Sequence, residues 1–383
     1  MKTPYFFIKQ STLQENIDVF KGALKKCWPN SILSYSVKTN SLPWILKYMN
    51  QQEIYAEVVS DEEYKLAELC GFTKNRIIFN GPIKSTELLE EALAAGSIVN
   101  MDSSNDLRVV FEHGGEHIGV RCNVNTDRFD QNDIGFSQDG FRFGFSEKDL
   151  AKIFDHYEKR FGNRNIGIHL HCNSKTRGVS VYRVIARYCR ELIEKYHLTP
   201  AFIDCGGGYF GGVPGKANAF DYIAAIREEL EGIVDPEQTV LIVEPGSAII
   251  GSAVDLHTSV LDVKEIDHAR IVTTDGSRIH IDALWKKSGY RYHLESKNAT
   301  DIYNGRQVIC GYTCMDYDRL MVLENKVRLE VGDKIIYERV GGYSMTFGGA
   351  FIRYFPDVYV EADGKIEQVR HRMSVEEYLK IQS

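Results

Sequence analysis

The sequence predicts an α/β protein, a (β/α)8 barrel followed by a C-terminal β-barrel or β-sandwich domain, from two observations. Eight short β-rich runs alternate with helical patterns over roughly the first 250 of 383 residues. After that point the alternation stops, and strand-like runs follow one another directly. Eight strand–helix pairs in about 240 residues match the size of a (β/α)8 barrel.

The barrel strands and the domain limits follow from this pattern. The helical segment 60–72 begins with a serine N-cap and an acidic first turn and ends at a glycine region, and 84–96 does much the same. We assign residues 11–250 to the barrel. Residues 1–10 join 251–383 in the β domain, because the opening is strand-like and chain termini are often close. The predicted barrel strands are 32–37, 54–60, 76–80, 97–102, 117–123, 166–171, 201–205 and 240–244.

Composition narrows the class of protein. Hydrophobic residues make up 43% of the chain and charged residues 26%, which is typical of a soluble enzyme. A net charge of −7 argues against a general affinity for nucleic acid or for an anionic membrane. The eight cysteines form no CxxC pair, and no secretory signal or membrane-spanning run is evident. We therefore expect a cytoplasmic enzyme that acts on a small molecule.

Polar or special residues stand at the carboxyl end of every predicted barrel strand. In a barrel of this kind the carboxyl ends of the strands share one rim, where active sites are built. The lysine at the first strand end is therefore expected to face other polar groups rather than bulk solvent alone. These residues are, in strand order, Lys38, Ser60, Asn80, Asp102, Asn123, His171, Gly206 with Gly207 and Gly208, and Glu244.

Two glycine-containing loops after the last two strands predict a phosphate site. "DCGGGYFGG" (204–212) and "EPGS" (244–247) lie where this fold commonly binds phosphate, although either could be only a tight turn. Lys38 together with a phosphate site favours pyridoxal 5'-phosphate, whose aldehyde condenses with an amine. Glu244 could pair with the protonated pyridine nitrogen of that cofactor or form a structural ion pair.

Three further motifs allow more than one interpretation. "GIHLHCNS" (167–174) puts His169 and His171 on one face of a strand, either to stack on a cofactor ring or to bind a metal. Ser174 could donate a hydrogen bond to phosphate. The β domain clusters Cys314, Asp316 and Asp318 in "CGYTCMDYDRL", and "GGYSM" contains Tyr343. Taken alone, these could be a free thiol, solvated acids and a turn.

Taken in order, these motifs resemble the fold-type III pyridoxal-phosphate decarboxylases, which have an alanine-racemase-like barrel. This family includes the ornithine, diaminopimelate, arginine and carboxynorspermidine decarboxylases. The resemblance implies a Schiff base on Lys38 and a cysteine, Cys314, donated by the partner subunit. It implies a further set of cofactor-binding residues: His171, Ser174, Gly206, Gly207, Gly208, Glu244, Gly246 and Tyr343. The residues that it implies near the substrate are Arg142 in "RFGF", Met315, Asp316 and Asp318.

The chain departs from the usual family motifs at three positions. Ser247 stands where the family usually has arginine, and Asn173 replaces the glycine of "HxGS". Met315 follows the cysteine, where the family often has an acid that binds the distal amine of the substrate. The asparagine, the missing arginine and the relatively short chain are most similar to the carboxynorspermidine branch. Segment 280–294 occupies the place of the family segment that contacts the far end of the substrate, and it is loosely similar to that branch.

The resemblance implies α-decarboxylation of a diamino acid or related amino acid, in polyamine or lysine biosynthesis. Cys314 or Lys38 would protonate the carbanion, and the enzyme would be a homodimer with shared active sites. The alternatives are an amino-acid racemase with the same cofactor and a metal-dependent barrel hydrolase using His169 and His171. A racemase would want a tyrosine base where this chain has "TCMDYD". A hydrolase would normally carry HxH on its first strand.

Overall fold

The computed structural model describes residues 1–135, 140–285, 287 and 289–383, and it divides into two compact units. One unit comprises residues 16–249, and the other comprises 1–15 with 250–383. The described strands are β1 (Tyr5–Lys9), β2 (Ser31–Ser36), β3 (Tyr55–Val58), β4 (Ile77–Phe79), β5 (Ile98–Met101), β6 (His117–Arg121), β7 (Gly167–His169), β8 (Phe202–Asp204), β9 (Val240–Val243), β10 (Val254–Ile266), β11 (Ala269–Thr274), β12 (Arg291–Glu295), β13 (Ile302–Cys310), β14 (Arg319–Val327), β15 (Lys334–Glu338), β16 (Asp357–Ala362) and β17 (Lys365–Arg370).

Helices separate the strands of the first unit and are rare in the second. The described α-helices are α1 (Gln10–Cys27), α2 (Pro43–Gln51), α3 (Asp61–Leu69), α4 (Thr86–Ala94), α5 (Ser104–His113), α6 (Glu147–Phe161), α7 (Val179–Tyr196), α8 (Ala219–Leu230), α9 (Ser247–Ile250), α10 (Arg278–Ile281) and α11 (Val375–Gln382). None of them is both long enough and apolar enough to cross a bilayer, within the residues that the structure describes.

The first unit is the predicted barrel. Strands β2 to β9 are parallel, each pairs with the next, and β2 also pairs with β9, which closes the sheet. The prediction of a (β/α)8 barrel is therefore confirmed. The serine caps that marked α3 and α4 are present: the Ser60 Oγ accepts from Glu63 N at 3.2 Å, and the Ser85 Oγ accepts from Leu88 N at 3.3 Å.

Two glycines in the strands make room for a large side chain in the barrel interior. A Cβ at Gly167 would lie 2.2 Å from the Phe202 ring, and a Cβ at Gly119 would lie 2.7 Å from it. Phe202 packs with Ile78, Ile98 and Ile242 in a buried cluster. Because the ring already fills this space, β6 and β7 accept only glycine here, and the packed interior fixes the strand positions below the rim.

The second unit is a mostly-strand domain, as predicted. Its nine-stranded sheet runs in the order β14-β13-β11-β10-β1-β16-β17, with β15 pairing with both β10 and β12. The N-terminal strand β1 lies inside this sheet: Tyr5 is opposite His257 in antiparallel β10 and opposite Asp357 in parallel β16. The first ten residues thus belong with the C-terminal strands rather than with the barrel.

Candidate active site

Lys38 lies at the barrel rim and is paired with a buried glutamate. Strand β2 ends at Ser36, and a 3-10 turn over Val37–Thr39 carries the half-buried lysine. Its Nζ lies 2.8 Å and 3.0 Å from the two carboxylate oxygens of Glu57 on β3, and Ser36 Oγ donates to the same carboxylate at 2.5 Å. The Glu57 carboxylate is therefore in direct contact with the Lys38 amine.

The environment keeps Glu57 ionised although it is buried. Burial by itself would raise the pKa of Glu57. The charge of Lys38, together with hydrogen bonds from Lys38, Ser36 and Asn80, outweighs burial and holds this pKa below its ordinary value. The result is a charged pair in which the ionised carboxylate lies directly beside the ammonium group.

A second pair of acids, Asp204 and Glu244, lies at the ends of β8 and β9. Both side chains are buried, and they form a carboxyl–carboxyl hydrogen bond, which requires a shared proton. Burial raises the pKa of Asp204 to about 6. Burial, and then the charges of Asp204 and Glu57, raise the pKa of Glu244 well above its ordinary value. Without a cofactor, this pair therefore holds a proton near neutral pH.

Two asparagines connect the two groups of acids. Asn80 Nδ2 donates to Glu57 Oε1 at 3.2 Å and to Glu244 Oε1 at 2.7 Å. Asn100 Nδ2 donates to Asn80 Oδ1 and to Asp204 Oδ2, each at 2.9 Å. The ends of β3, β4, β5, β8 and β9 are thereby joined in one buried network, so each of its members helps to orient the others.

The two histidines of the HxH motif have different surroundings. The His169 side chain is buried at the end of β7, and neither ring nitrogen has a hydrogen-bond partner among the described residues. One ring nitrogen lies within 4.8 Å of carboxylate oxygens of both Asp204 and Glu244. His171 is not a member of this group, which is the only such group of donors in the described part of the chain. Among the described residues, no group of three or more such donors contains both histidines, as the alternative metal site would require.

His171 is suited to stacking on a flat ring rather than to carrying charge. It lies two residues beyond β7, and a Cβ at Gly206 would come within 2.6 Å of its ring. Burial, followed by the charges of Arg121 and Lys38, lowers the pKa of His171 to about 3. The imidazole is neutral at physiological pH, and one of its faces packs against the glycine loop.

We define the glycine loop as residues 206–212, which follow β8. Gly206 and Gly208 have φ values of 61° and 96°, a region that favours glycine. A Cβ at Gly207 would lie 2.5 Å from the backbone oxygen of Glu244. Likewise, a Cβ at Gly246 would lie 1.9 Å from the Oγ1 of Thr39. The backbone after β8 and β9 is thus packed so closely against its neighbours at the rim that side chains are excluded.

The "RFGF" segment packs against the ends of β5 and β6. Gly144 N donates to Asp102 Oδ1 at 2.6 Å, and Arg121 pairs with the other oxygen of this carboxylate at 3.0 Å. Arg142 itself is exposed, with its guanidinium 4.1 Å from the Phe143 ring centroid. The segment therefore lies beside the ends of β5 and β6, and the predicted place of Arg142 near the substrate stays a prediction.

The predicted substrate residues of the β domain cluster in the turn between β13 and β14. Asp318 is buried there and accepts from Ser277 Oγ at 2.9 Å and from Thr313 Oγ1 at 2.7 Å. It also accepts from the backbone N–H of Arg278 at 3.0 Å, so it holds this turn to the loop before α10. This buried network shows a structural role for Asp318, and its predicted contact with substrate stays a prediction.

The neighbours of Asp318 in this turn are more accessible. Cys314 is exposed, Met315 is half-buried, and the exposed Asp316 pairs with Arg319 at 3.1 Å. Tyr343, in the loop after β15, has a φ of 59° and is 37% exposed. The β domain therefore presents a thiol, an acid and a phenol to solvent.

Segment 280–294, predicted to approach the far end of the substrate, includes Lys286 and Ser288, which lie outside the described residues. Asp282 organises the rest of the segment. Its Oδ2 accepts from the Arg278 guanidinium at 2.6 Å, from Lys287 N at 2.9 Å and from the Tyr290 hydroxyl at 3.2 Å.

The rim residues match the chemical requirements of pyridoxal phosphate. Neighbouring strands of one barrel carry three features that the cofactor needs. They are an amine paired with a carboxylate, a buried carboxyl pair that holds a proton, and a loop whose glycines carry no side chains. His169 adds two ring nitrogens whose hydrogen-bonding capacity is unused by the described residues. Such unsatisfied buried polar atoms are common where a bound group completes the site.

Comparison with known families decides the classification. The sequence model described as "Pyridoxal-dependent decarboxylase, pyridoxal binding domain" matches residues 13–251, more than half of the chain. The chain belongs to this family. It is a pyridoxal-phosphate-dependent decarboxylase, and the predicted cofactor and enzyme class are confirmed.

Individual relatives agree with this classification. The diaminopimelate decarboxylase of Archaeoglobus fulgidus is 26% identical over 91% of this chain and 85% of that enzyme. The diaminopimelate decarboxylase of Helicobacter pylori is also 26% identical, over 100% of this chain and 96% of that enzyme. These identities leave the substrate and the predicted carboxynorspermidine branch open.

Solved structures support the same fold. That of the Helicobacter pylori diaminopimelate decarboxylase complexed with L-lysine superposes with a TM-score of 0.83 at 22% identity, covering 100% of this chain and 97% of that one. The Paramecium bursaria Chlorella virus arginine decarboxylase superposes with a TM-score of 0.79 at 20% identity, covering 94% and 96%.

The decarboxylase site includes residues that the sequence patterns did not single out. Glu57 lies inside the apolar run "IYAEVVS", and a charged residue within such a run was the available signal. Asp204 was read only as the start of a glycine motif. Asn100, one residue before the end of β5, gave no signal, because its role depends on partners from β4 and β8.

Proposed function

We propose that this decarboxylase removes the α-carboxylate of a diamino acid or a related amino acid, such as diaminopimelate, carboxynorspermidine or an ornithine-like compound. The observation that carries the proposal is the ion pair between Lys38 and Glu57 beside the proton-holding pair of Asp204 and Glu244. The diaminopimelate decarboxylases among its relatives favour a substrate of this class.

The cofactor, when bound, supplies an aldehyde for the amine and a ring that accepts the electrons left by departing carbon dioxide. Glu57 accepts the proton that the Lys38 ammonium must lose before its Nζ can act as a nucleophile. Glu244 would hold the ring nitrogen of the bound cofactor, supplying a proton and, as a carboxylate, the negative charge that stabilises a protonated ring.

The remaining proposed roles follow the resemblance. His171 would stack on the cofactor ring through its neutral imidazole. The phosphate would be bound by Ser174, Gly206, Gly207, Gly208, Gly246 and Tyr343. Cys314 or Lys38 returns a proton to the reacting carbon, and Arg142, Met315, Asp316 and Asp318 act on the substrate side. Cytoplasmic location stays a prediction.

We expect low activity on L-ornithine and higher activity on a larger or differently charged substrate. The thioether of Met315 cannot pair with a distal ammonium, and an unpaired buried charge costs several kcal/mol. Carbon dioxide release should be measured over a panel of diamino acids and carboxylated polyamines, with Met315→Glu as the comparison variant. L-Ornithine giving the highest kcat/KM with wild type would contradict this expectation. Carbon dioxide release from no amino acid would contradict the proposed function.

We also propose that the enzyme is a homodimer with two shared active sites. The resemblance implies that each site combines the barrel residues of one chain with Cys314, Asp318 and Tyr343 of the other chain. A two-fold axis would then create two identical composite sites.

Mixing Lys38→Ala with Cys314→Ala should restore activity if sites are shared. Each variant alone is expected to be nearly inactive. With equal amounts and random re-pairing, about half of the dimers are mixed and have one intact site of two, so roughly a quarter of wild-type activity should return. Subunit exchange would be verified by native mass spectrometry. No recovery above the separate variants, with exchange verified, would contradict the shared site.

A further inference from the structure

Arg177 has an unusual backbone conformation at the edge of the glycine loop. Its φ is 51°, in a region that non-glycine residues seldom occupy. The surrounding structure holds both of its backbone polar groups: its N–H donates to Ser174 Oγ at 3.0 Å, and its carbonyl accepts from the Tyr222 hydroxyl at 2.7 Å. Such conformations persist where the rest of the fold stabilises them, and they concentrate at functional sites.

The same hydrogen bonds attach Arg177 to the glycine loop. The Tyr222 hydroxyl, which donates to Arg177, also accepts from Phe210 N at 3.3 Å. Tyr182, whose ring is 4.9 Å from that of Tyr222, donates its hydroxyl to the Gly207 carbonyl at 2.7 Å. The backbone of Arg177 is therefore held at a fixed position relative to the loop backbone.

The positive charge of Arg177 is not neutralised by any described residue. Its guanidinium carbon lies 5.8 Å from the centroid of the Phe210 ring, and Lys216 Nζ lies 5.5 Å from the same ring. Within the described part of the chain, the half-buried Arg177 side chain forms no ion pair or hydrogen bond. The nearby Asp133 accepts instead from hydroxyls, including that of Ser180 at 2.7 Å.

We propose that Arg177 provides the positive charge that binds the phosphate group of the cofactor at the glycine loop. The inference rests on the proposed phosphate role of this loop. A phosphate dianion is the group of the cofactor that a guanidinium recognises, through charge and paired hydrogen bonds. The loop supplies backbone donors but, apart from the flanking Lys216, no cation of its own between residues 206 and 216.

Arg177→Gln should weaken the binding of pyridoxal phosphate by about tenfold or more, the effect expected for loss of a charge-assisted hydrogen bond. The full-length enzyme, freed of cofactor, would be titrated with pyridoxal phosphate and with pyridoxal, which lacks the phosphate. Binding would be followed by quenching of tryptophan fluorescence. The affinity for pyridoxal should change less than twofold.

Lys175→Gln is the matched control, because it removes one positive charge from the same segment. The Lys175 side chain lies against Gly135, so its loss should leave both affinities unchanged. Arg177→Gly removes the charge and also relieves the left-handed backbone, so it tests the proposal if Arg177→Gln folds poorly. An equal loss of affinity for both ligands, or no loss in either variant, would overturn the role of Arg177. Wild type that binds neither ligand would instead contradict the proposed function.

Discussion

Lys38→Ala is expected to lower kcat by at least about a thousandfold and to abolish the visible absorption band of the lysine-bound cofactor. The variant loses the amine paired with Glu57, and with it both covalent attachment and a candidate proton donor. Positioned proton transfer alone contributes about 10² to 10⁴-fold in enzymes. Absorption spectra and carbon dioxide release, measured at saturating cofactor, test the prediction.

Lys47→Ala is a suitable control for this prediction. Lys47 is exposed on α2, and its replacement should leave the spectrum and kcat unchanged. Lys38→Ala enzyme that keeps the visible band, or more than about a tenth of wild-type kcat, would show that another lysine binds the cofactor.

Glu244→Gln is expected to lower kcat by about a hundredfold or more. Glutamine cannot supply the carboxylate that stabilises a protonated ring nitrogen, and loss of one preorganised electrostatic group typically has an effect of this size. Asp204→Asn should be much milder. Asparagine can still accept from Gly206 N, as Asp204 does at 2.9 Å, although the hydrogen bond from Asn100 to Oδ2 is lost. Removal of the Asp204 charge, which raises the pKa of Glu244, favours the ionised form of Glu244.

The pH dependence of stability distinguishes this electrostatic role from simple packing. The pKa values of Asp204 and Glu244 are raised in the folded state, so the folded protein binds protons more tightly than the unfolded chain does. The resulting contribution to the free energy of unfolding is fully present below about pH 4 and is lost as pH rises through about 6 and beyond. The melting temperature of cofactor-free wild type should therefore fall between pH 5 and pH 8 more than that of Asp204→Asn.

Equal slopes for wild type and Asp204→Asn would mean that the two carboxyls share no proton. If Asp204→Asn lowered kcat about a hundredfold, as Glu244→Gln is expected to do, the two carboxyls would act as one unit rather than through Glu244 alone.

The barrel and its polar rim could be predicted because they depend on local signals. Alternation of strands and helices gave the eight strands, and the residues that follow them mark the rim, from Lys38 to Glu244. The Lys38–Glu57 pair could not be predicted in this way. It depends on the register that places Ser36 beside Glu57 in neighbouring parallel strands, and on a 3-10 turn that returns Lys38 over that position.

The surroundings of the two histidines could not be predicted from the sequence either. Alternation put His169 and His171 on one face, but β7 ends at His169, so the second histidine follows a loop path toward Gly206. Likewise, "TCMDYD" identified Asp318 as polar and available. It is buried and accepts from two donors in another segment of the β domain, Ser277 and Arg278, and no pattern within the motif reveals them.

The most direct test of this account is reduction of the wild-type holoenzyme with sodium borohydride, followed by peptide mapping. Borohydride fixes the cofactor on whichever amine holds it. We predict one modified peptide, with the cofactor on Lys38 in "SYSVKTN", and about one equivalent of cofactor per chain. Modification of a different lysine, or of none in an enzyme that releases carbon dioxide from an amino acid, would contradict the assignment of Lys38.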